Sequence, residues 1–339
     1  MSAPLHVINF STTASAASLL DFVRPDMDAV EARMNAEVGS DVRAISDLTC
    51  SLLQAGGKRL RPAMVALAAR SWQANASRER IAMVGAAVEF VHMATLVHDD
   101  VVDRTSMRRG RPTANAIFGN GTAVLSGDYL LARAMRLLAI DGDLRIIRSV
   151  SEITIAMSEG EVMEIAATGV PDLPLAVYFE ILRKKTAVFV EGCCRAGSIL
   201  AGANDEVSDA LAQYGFGLGM AFQIADDLLD YNGEPSLTGK PVGSDLKDGR
   251  ATMPWLIAMQ EATAAERKCL LAAFGNSTLD DDGVQDVVDT LASHDAFNRT
   301  RETAREYVEK AHAALSMLPY TPARECLEAL TDYVVQRSG

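Results

Sequence analysis

Apolar residues recur at intervals of three and four along most of the 339-residue chain, which is the spacing of one face of an α-helix. The breaks between these segments carry Gly, Pro and Asn, as at Gly56-Gly57 and Gly119-Asn120-Gly121. Alternating β-branched residues, which mark half-buried strands, are scarce. The predicted helices span residues 26–38, 41–55, 60–74, 78–103, 114–118, 122–139, 143–167, 174–201, 206–231, 252–274, 283–294, 297–316 and 320–336. The stretch from Asn232 to Pro254 predicts a long loop.

The same acidic pattern ends two of these helices. Residues 99–103 read Asp-Asp-Val-Val-Asp, residues 226–230 read Asp-Asp-Leu-Leu-Asp, and a long apolar run precedes each copy. The first and fifth positions of the pattern lie one turn apart on one helix face, so each copy crowds its carboxylates together. Crowded carboxylates repel one another unless cations neutralise them. Because Mg2+ prefers oxygen ligands and often shares substrate phosphates, the two copies predict a multi-metal clamp on a polyanion.

A chance origin must be weighed against this interpretation. One such string would arise easily on a solvated helix of an acidic protein, but two copies at the ends of apolar helices favour a function. The run Asp280-Asp281-Asp282 differs, because it follows a Gly-Asn-Ser-Thr segment and predicts only a loop and a helix start.

Composition narrows the class of protein. With 49% hydrophobic and only 6% aromatic residues, the chain predicts an all-α protein with a large core. No internal segment resembles a linker, so we expect one catalytic domain over residues 25–339 and a partly ordered arm over residues 1–24. The net charge of −13 argues against nucleic-acid binding. Five cysteines without zinc spacing, and no signal-like start, predict reduced thiols in a cytoplasmic protein.

Basic residues near the acidic copies suit an anionic substrate. Lys58 and Arg61 follow two glycines at a predicted helix start, where free N–H groups favour phosphate. Arg108 and Arg109 come shortly after Asp103 and offer forked phosphate contacts. A third group contains Lys184, Lys185, Thr186, Lys240 and Arg250.

Three further polar residues lie on the helices that carry the acidic copies. His92 precedes Asp99 by two turns on the same face and could reach a substrate phosphate. Gln223 lies three residues before Asp226 and could hydrogen-bond a diphosphate. His98 has no such partner and is predicted to be structural.

Together these segments resemble the trans-prenyltransferases, also called trans-isoprenyl diphosphate synthases. The resemblance runs from about residue 40 to the C-terminus and rests on five ordered motifs: GGKRLRP (56–62), HMATLVHDDVVDRTSMRRGRPT (92–113), KTA (185–187), FQIADDLLDY (222–231) and GKPVGSDL (239–246). It implies a single-domain isoprenoid-synthase helical bundle around a deep central cavity, and usually a homodimer. The implied reaction is chain elongation, in which an allylic diphosphate ionises, isopentenyl diphosphate attacks the carbocation and a proton is lost.

The resemblance also implies roles for individual residues. Asp99, Asp103 and Asp226 would bind three Mg2+ ions, supported by Asp100, Asp227 and Asp230. The diphosphate of isopentenyl diphosphate would contact Lys58, Arg61, His92 and Arg109. The allylic diphosphate would contact Arg108, Lys185, Thr186, Gln223 and Lys240, and Arg108 and Lys185 would join the three aspartates in catalysis. The chain departs from the family pattern at Arg250, where Lys is usual, and at Glu164, where many relatives have Gln.

Small side chains descend the helix away from Asp99, and they bear on product length. The residues expected to line this path are Thr95, Ala94, Val91, Val88 and Ala87. None is aromatic, and Phe90 is expected to point elsewhere by helical phase. We therefore expect an octaprenyl to decaprenyl product, used as a quinone side chain and built on farnesyl or geranylgeranyl diphosphate, with transient membrane contact on release. Alternatively, the small residues only let helices pack closely.

Other functions are weighed against the resemblance. A shorter-chain synthase would stop at farnesyl or geranylgeranyl diphosphate. A non-catalytic subunit of a heteromeric synthase would usually lose its acidic clusters, and both are complete here. A terpene cyclase or head-to-head synthase has less use for the GGKRLRP segment with Arg108 and Arg109, and a helical scaffold would show no diphosphate affinity.

Overall fold

A computed structural model of the chain describes residues 21–54, 56–57, 59–108, 110–232 and 242–337. A 3-10 turn, Asp21–Val23, leads into the first helix. The α-helices in chain order are α1 (Arg24–Glu37), α2 (Arg43–Gln54), α3 (Leu60–Trp72), α4 (Arg78–Val102), α5 (Ala114–Phe118), α6 (Asn120–Asp141), α7 (Leu144–Ala167), α8 (Leu175–Leu182), α9 (Val188–Leu200), α10 (Asp205–Asn232), α11 (Ser244–Lys247), α12 (Met253–Glu261), α13 (Ala264–Ala273), α14 (Asp281–Ser293), α15 (Ala296–Leu315) and α16 (Pro322–Arg337). Strands β1 (Met107–Arg108) and β2 (Arg111–Pro112) form an antiparallel hairpin.

The predicted all-α class is confirmed, but two predicted helices are interrupted. The helix predicted over 174–201 contains a π-helical segment, Arg183–Ala187, between α8 and α9. The helix predicted over 252–274 is α12 followed by α13, because Thr263 and Glu266 form a capping box that starts a new helix. The predicted loop after Asn232 contains the short helix α11, and residues 233–241 lie outside the described residues.

Two apolar cores meet along α10. The larger core joins α1, α3, α4, α6, α7, α9, α16, α10 as far as Ala225, and the second half of α15. The other core joins α8, the last third of α10 and helices α11–α15. Helix α4 packs along α6, and α9 packs against both α3 and α10. Close packing of α9 on α3 needs Gly197, where a Cβ would lie 2.4 Å from the Val65 carbonyl oxygen.

Polar caps fix where the principal helices begin. Ser77 accepts a hydrogen bond from the Arg80 N–H at the start of α4. Asp280 accepts one from the Gly283 N–H, 2.9 Å, at the start of α14. The prediction that the 280–282 run is a helix start is therefore confirmed. Among the described helices, α4 alone is long and apolar enough to cross a membrane, but 78% of its apolar window is buried in the core.

Apolar side chains remain exposed along α6 and α7. The exposed residues of α6 include Leu125, Met135 and Ile140, and those of α7 include Leu144, Ile155 and Val162. Large exposed apolar surfaces commonly mark contacts with another molecule. The predicted arm over residues 1–24 stays a prediction, since only residues 21–24 fall within the described part.

Candidate active site

The first acidic copy forms the C-terminal end of α4. The Asp103 N–H closes the last turn on the Asp99 carbonyl oxygen, 2.8 Å away. Asp100 is buried and has a structural role, since its carboxylate accepts the Arg108 Nε–H at 2.8 Å and its carbonyl oxygen accepts the Asn115 Nδ2–H at 3.1 Å. Asp100 therefore anchors the β1–β2 hairpin and Arg108 beside the end of α4.

Asp99 lies among charges of both signs. Burial raises the pKa of Asp99 to about 7, and the negative charges of Glu161 and Asp103 add to that rise, while Lys185 and Arg108 oppose it. The cations beside Asp99 do not offset burial and the neighbouring carboxylates. The surroundings of Asp99 therefore fit a cation that binds carboxylate oxygens, which is the preference of Mg2+ and Ca2+.

Lys185 comes from the π-helical segment and faces α7. Its Nζ lies 2.8 Å from Glu161 Oε2 and also contacts Glu164. Although burial works against its charge, these carboxylates raise the pKa of Lys185 above its ordinary value. Gly160 permits the approach, because a Cβ there would lie 3.0 Å from the Lys185 backbone nitrogen. The structure thus brings Lys185 beside Asp99, as expected for one site.

The second acidic copy ends α10 and is partly used for structure. Asp227 is buried and accepts the Tyr178 hydroxyl at 2.6 Å, and burial raises the pKa of Asp227 well above its usual range. Asp230 accepts the Ser244 hydroxyl at 2.6 Å and the Asp245 N–H at 3.1 Å, so it holds helix α11 in place. Asp226 is partly exposed. These contacts are structural, and the predicted roles of Asp227 and Asp230 in supporting the metal ions stay predictions.

The two acidic copies come together through the segment after α11. The Asp245 carbonyl oxygen accepts the Arg250 N–H at 2.8 Å, and Asp245 is itself held by Asp230. The Arg250 guanidinium lies 3.8 Å from Asp103 Oδ2 on the first copy. A chain of contacts therefore runs from one acidic copy to the other.

A second link joins the π-helical segment to α10. The Thr186 hydroxyl donates to Gln223 Oε1 at 3.0 Å. Gly219 lets the two elements approach, since a Cβ there would lie 2.7 Å from the Ala187 Cα. Thr186 and Gln223 are thus adjacent, as their expected shared role at the allylic diphosphate requires.

A basic pair lies beside Phe189 on α9. The Arg61 guanidinium lies 4.8 Å from the centre of the Phe189 ring, and the His92 ring meets the same ring edge-on at 6.3 Å. Arg61 Nε is buried without a hydrogen-bond partner, and burial lowers the pKa of this group. A buried cation with an unsatisfied N–H is suited to binding an anion.

Arg59, which the sequence interpretation did not use, supports this pair. It adopts a left-handed conformation, φ 46°, at the start of α3 and is buried. Its guanidinium donates to Glu31 at 2.6 Å and to Glu89 at 2.9 Å, so it joins α1 and α4 to α3. Three other predicted binding residues, Lys58, Arg109 and Lys240, lie outside the described residues.

The site also contains Glu161, which the sequence interpretation missed. The sequence feature that could have indicated Glu161 is its spacing of three residues from Glu164, which places both carboxylates on one face of a helix opposite two predicted cations. Within the described ranges, no three His, Cys, Asp or Glu side chains lie close enough to hold one metal ion by themselves.

His98 has the structural role predicted for it. Its Nε2 lies 3.0 Å from the Val124 carbonyl oxygen and 3.6 Å from Asp128 on α6. The ring occupies the space that a side chain at position 127 would need, because a Cβ on Gly127 would lie 2.2 Å from it.

The residues expected to line the product path are mostly closed off from solvent. Four of them are buried, namely Ala94, Val91, Val88 and Ala87, while Thr95 is partly exposed. Phe90 is fully buried in the core, and the expectation that it points away from this path stays a prediction.

Comparison with known proteins agrees with this arrangement. A family model described as polyprenyl synthetase matches residues 42–291. Octaprenyl diphosphate synthase of Escherichia coli (strain K12) is 39% identical over 92% of this chain and 96% of its own length. Heptaprenyl diphosphate synthase component 2 of Geobacillus stearothermophilus is 37% identical over 94% of this chain and 98% of its own. A crystal structure of polyprenyl synthase from Caulobacter crescentus CB15, complexed with calcium and isoprenyl diphosphate, matches with a TM-score of 0.89 and 37% identity over 97% of this chain and 100% of that one.

The helical architecture of the chain is the all-α isoprenyl synthase fold. The chain belongs to the polyprenyl synthetase family, and it is therefore a prenyltransferase.

Proposed function

We propose that this chain, a long-chain all-trans polyprenyl diphosphate synthase, makes octaprenyl to decaprenyl diphosphate for a quinone side chain. The observation that carries the proposal is the chain of contacts between the two acidic copies. It runs from Asp230 through Asp245 to Arg250, which lies 3.8 Å from Asp103. A site of this kind holds a polyanion between two carboxylate groups and several cations. The octaprenyl product in the name of the Escherichia coli relative supports a long chain.

The residues fit a stepwise division of labour. Asp99, Asp103 and Asp226 would hold three Mg2+ ions, which when bound would stabilise negative charge on the leaving diphosphate. Calcium in the Caulobacter crescentus structure supports a divalent cation. Arg108 and Lys185 are fixed cations beside Asp99, so they can stabilise the same developing charge without reorganising.

The remaining groups bind and orient the substrates. Arg61 and His92 would hold isopentenyl diphosphate beside Phe189, together with Lys58 and Arg109. Thr186, Gln223 and Lys240 would orient the allylic diphosphate. The buried apolar surface of α4 would exclude water, which would otherwise capture the carbocation. The released diphosphate would accept the proton.

An elongation assay tests the proposal directly. Purified protein, Mg2+, labelled isopentenyl diphosphate and farnesyl diphosphate should give products up to eight to ten isoprene units, an estimate that follows from the small residues of α4. Asp226→Ala should lower turnover by about a thousandfold or more, because it removes an acidic ligand from the site. Asp282→Ala is the matched control in the 280–282 acidic run and should behave as wild type. Full turnover by Asp226→Ala would refute the clamp.

Product length tests the path along α4. Ala94→Val and Ala94→Phe should shorten the product in that order, because each side chain fills more of the space below the site. Overpacking costs about 1–3 kcal/mol, so thermal midpoints must be measured alongside. If a folded Ala94→Phe protein made a product of unchanged length, the assignment of the product path to this face of α4 would be refuted.

The apolar side chains exposed on α6 and α7 support a homodimer. Light scattering of the purified protein should give twice the chain mass of 36.3 kDa. Leu125→Asp should shift that mass toward the monomer, since a charge on the contact surface opposes association. The relative named as component 2 of a heptaprenyl diphosphate synthase favours a second arrangement, in which the chain is one subunit of a heteromeric synthase. A purified monomer that is inactive by itself would support this second arrangement. Cytoplasmic location and membrane-assisted release stay part of the proposal.

A further inference from the structure

Lys185 is surrounded by more negative charge than it can neutralise. Its single ammonium group contacts two carboxylates, Glu161 and Glu164, which project from adjacent positions on α7. All three side chains are about one-quarter exposed or less, so solvent screens their interactions only in part. These three groups together carry one net negative charge, at a place where an anionic substrate is expected to bind.

The two glutamates face different parts of the site. Glu161 is the strongest negative charge acting on Asp99, after the effect of burial. Glu164 is instead the strongest negative charge acting on Arg250, ahead of Asp245 and Asp103. Glu164 therefore acts on two cations from different parts of the chain, on Lys185 by direct contact and on Arg250 through its charge.

We propose that Glu164 is an affinity-determining residue for the allylic primer. In the substrate-free enzyme its carboxylate contacts Lys185 and attracts Arg250 through its charge, and the primer diphosphate must compete with it for both cations. This inference rests on the proposed role of Lys185 at the primer. Displacement costs binding energy, so Glu164 weakens primer binding and favours release of the elongated diphosphate.

The sign of the effect follows from the geometry. Glu164→Gln removes one negative charge with almost no change of shape. Glu161 still lies 2.8 Å from Lys185 Nζ, so the lysine stays in place. A diphosphate should then bind more tightly. If Glu164 served only to position Lys185, its loss would weaken binding instead.

The chain offers a matched control one and a half turns away. Glu159 on α7 contacts Lys184 Nζ, and Glu180 lies 3.8 Å from the same atom. Glu159→Gln therefore also removes one of two carboxylates around a lysine of the π-helical segment. Its side chain is 56% exposed, and Lys184 has no role at the proposed site.

Steady-state kinetics and a direct binding measurement test the inference together. In Glu164→Gln the KM for farnesyl diphosphate should fall about three- to tenfold, with the KM for isopentenyl diphosphate unchanged. The Kd for inorganic diphosphate in Mg2+, measured by calorimetry, should fall by a similar factor. Glu159→Gln should change none of these quantities.

Contrary outcomes are distinct from one another. An unchanged or raised primer KM, or equal shifts for both substrates, overturns the inference. Glu164→Ala should show the same direction as Glu164→Gln, and thermal midpoints of both variants exclude a general loss of structure. If the wild type incorporates no isopentenyl diphosphate, the proposed function fails, while inorganic diphosphate affinity still decides the role of Glu164.

Discussion

A single methyl group at Gly160 should damage the site more than the fold. Gly160 lies on α7 directly against the π-helical segment. A Cβ there would lie 2.8 Å from the Lys184 Cβ, 3.0 Å from the Lys185 backbone nitrogen and 3.1 Å from the Lys185 Cγ. None of these atoms is the free end of a flexible side chain. Gly160→Ala must therefore move the π-helical segment, and Lys185 with it.

The expected magnitudes separate stability from activity. Overpacking costs about 1–3 kcal/mol, and the helix propensity of Ala over Gly returns about 0.5–1 kcal/mol. The free energy of unfolding should therefore fall by only about 2 kcal/mol or less. A catalytic group displaced by 1 Å can cost about a hundredfold in rate, so a shift of a few tenths of an ångström should cost roughly tenfold.

Turnover and thermal unfolding of two variants give the comparison. Gly121→Ala, near the start of α6, adds the same methyl where no atom lies within 4 Å. It should keep wild-type turnover. Wild-type turnover in Gly160→Ala would refute the argument that the contact between α7 and the π-helical segment positions Lys185. A large loss of stability in Gly160→Ala would instead show that the contact belongs to the core.

Two further predictions concern charge. Burial raises the pKa of Asp99 to about 7, so the folded protein binds this proton more tightly than the unfolded chain does. The resulting stabilisation of the metal-free fold is complete below the ordinary pKa of an aspartate, and it is lost as the pH rises through about 7. With a chelator present, the thermal midpoint should therefore decrease as the pH is raised from about 4 to about 7. Mg2+ should restore more stability at high pH than at low pH, and Asp99→Asn should make the thermal midpoint less dependent on pH. Arg59→Met should lower the free energy of unfolding by about 3–5 kcal/mol in denaturant titrations, because it leaves the buried Glu89 carboxylate without its ion pair and removes the ion pair of Glu31. A decrease of less than about 1 kcal/mol would contradict this prediction.

Sequence patterns predicted the helix ends that carry the acidic motifs because apolar periodicity and acidic residues are both local signals. The break before α13 was also visible in principle, since Thr263 and Glu266 have capping-box spacing. The π-helical segment was not, because its extra residue changes hydrogen-bond register without changing composition. The placement of Glu161 at the site and the contacts of Arg59 depend on which helices lie side by side. A local sequence pattern does not contain that information.

The direction of Phe90 depends on tertiary packing and stays a prediction. Phe90 lies four residues before Ala94 on α4 and is fully buried, so it is a second position at which product length can be examined.

Asp230 has a consequence for how this chain can be changed. Its carbonyl oxygen accepts the Gly243 N–H at 2.7 Å and its carboxylate holds Ser244 and Asp245, so the flanks of the 233–241 connection are clasped by one residue. The entropy of closing a loop changes slowly with its length, and here the contacts of Asp230 with residues 243–245 hold the two ends together. Residues 233–241 are therefore suited to replacement by the corresponding segment of a relative. Its sequence, Lys240 included, can be exchanged between relatives as one unit while Arg250 keeps its place beside the first acidic copy.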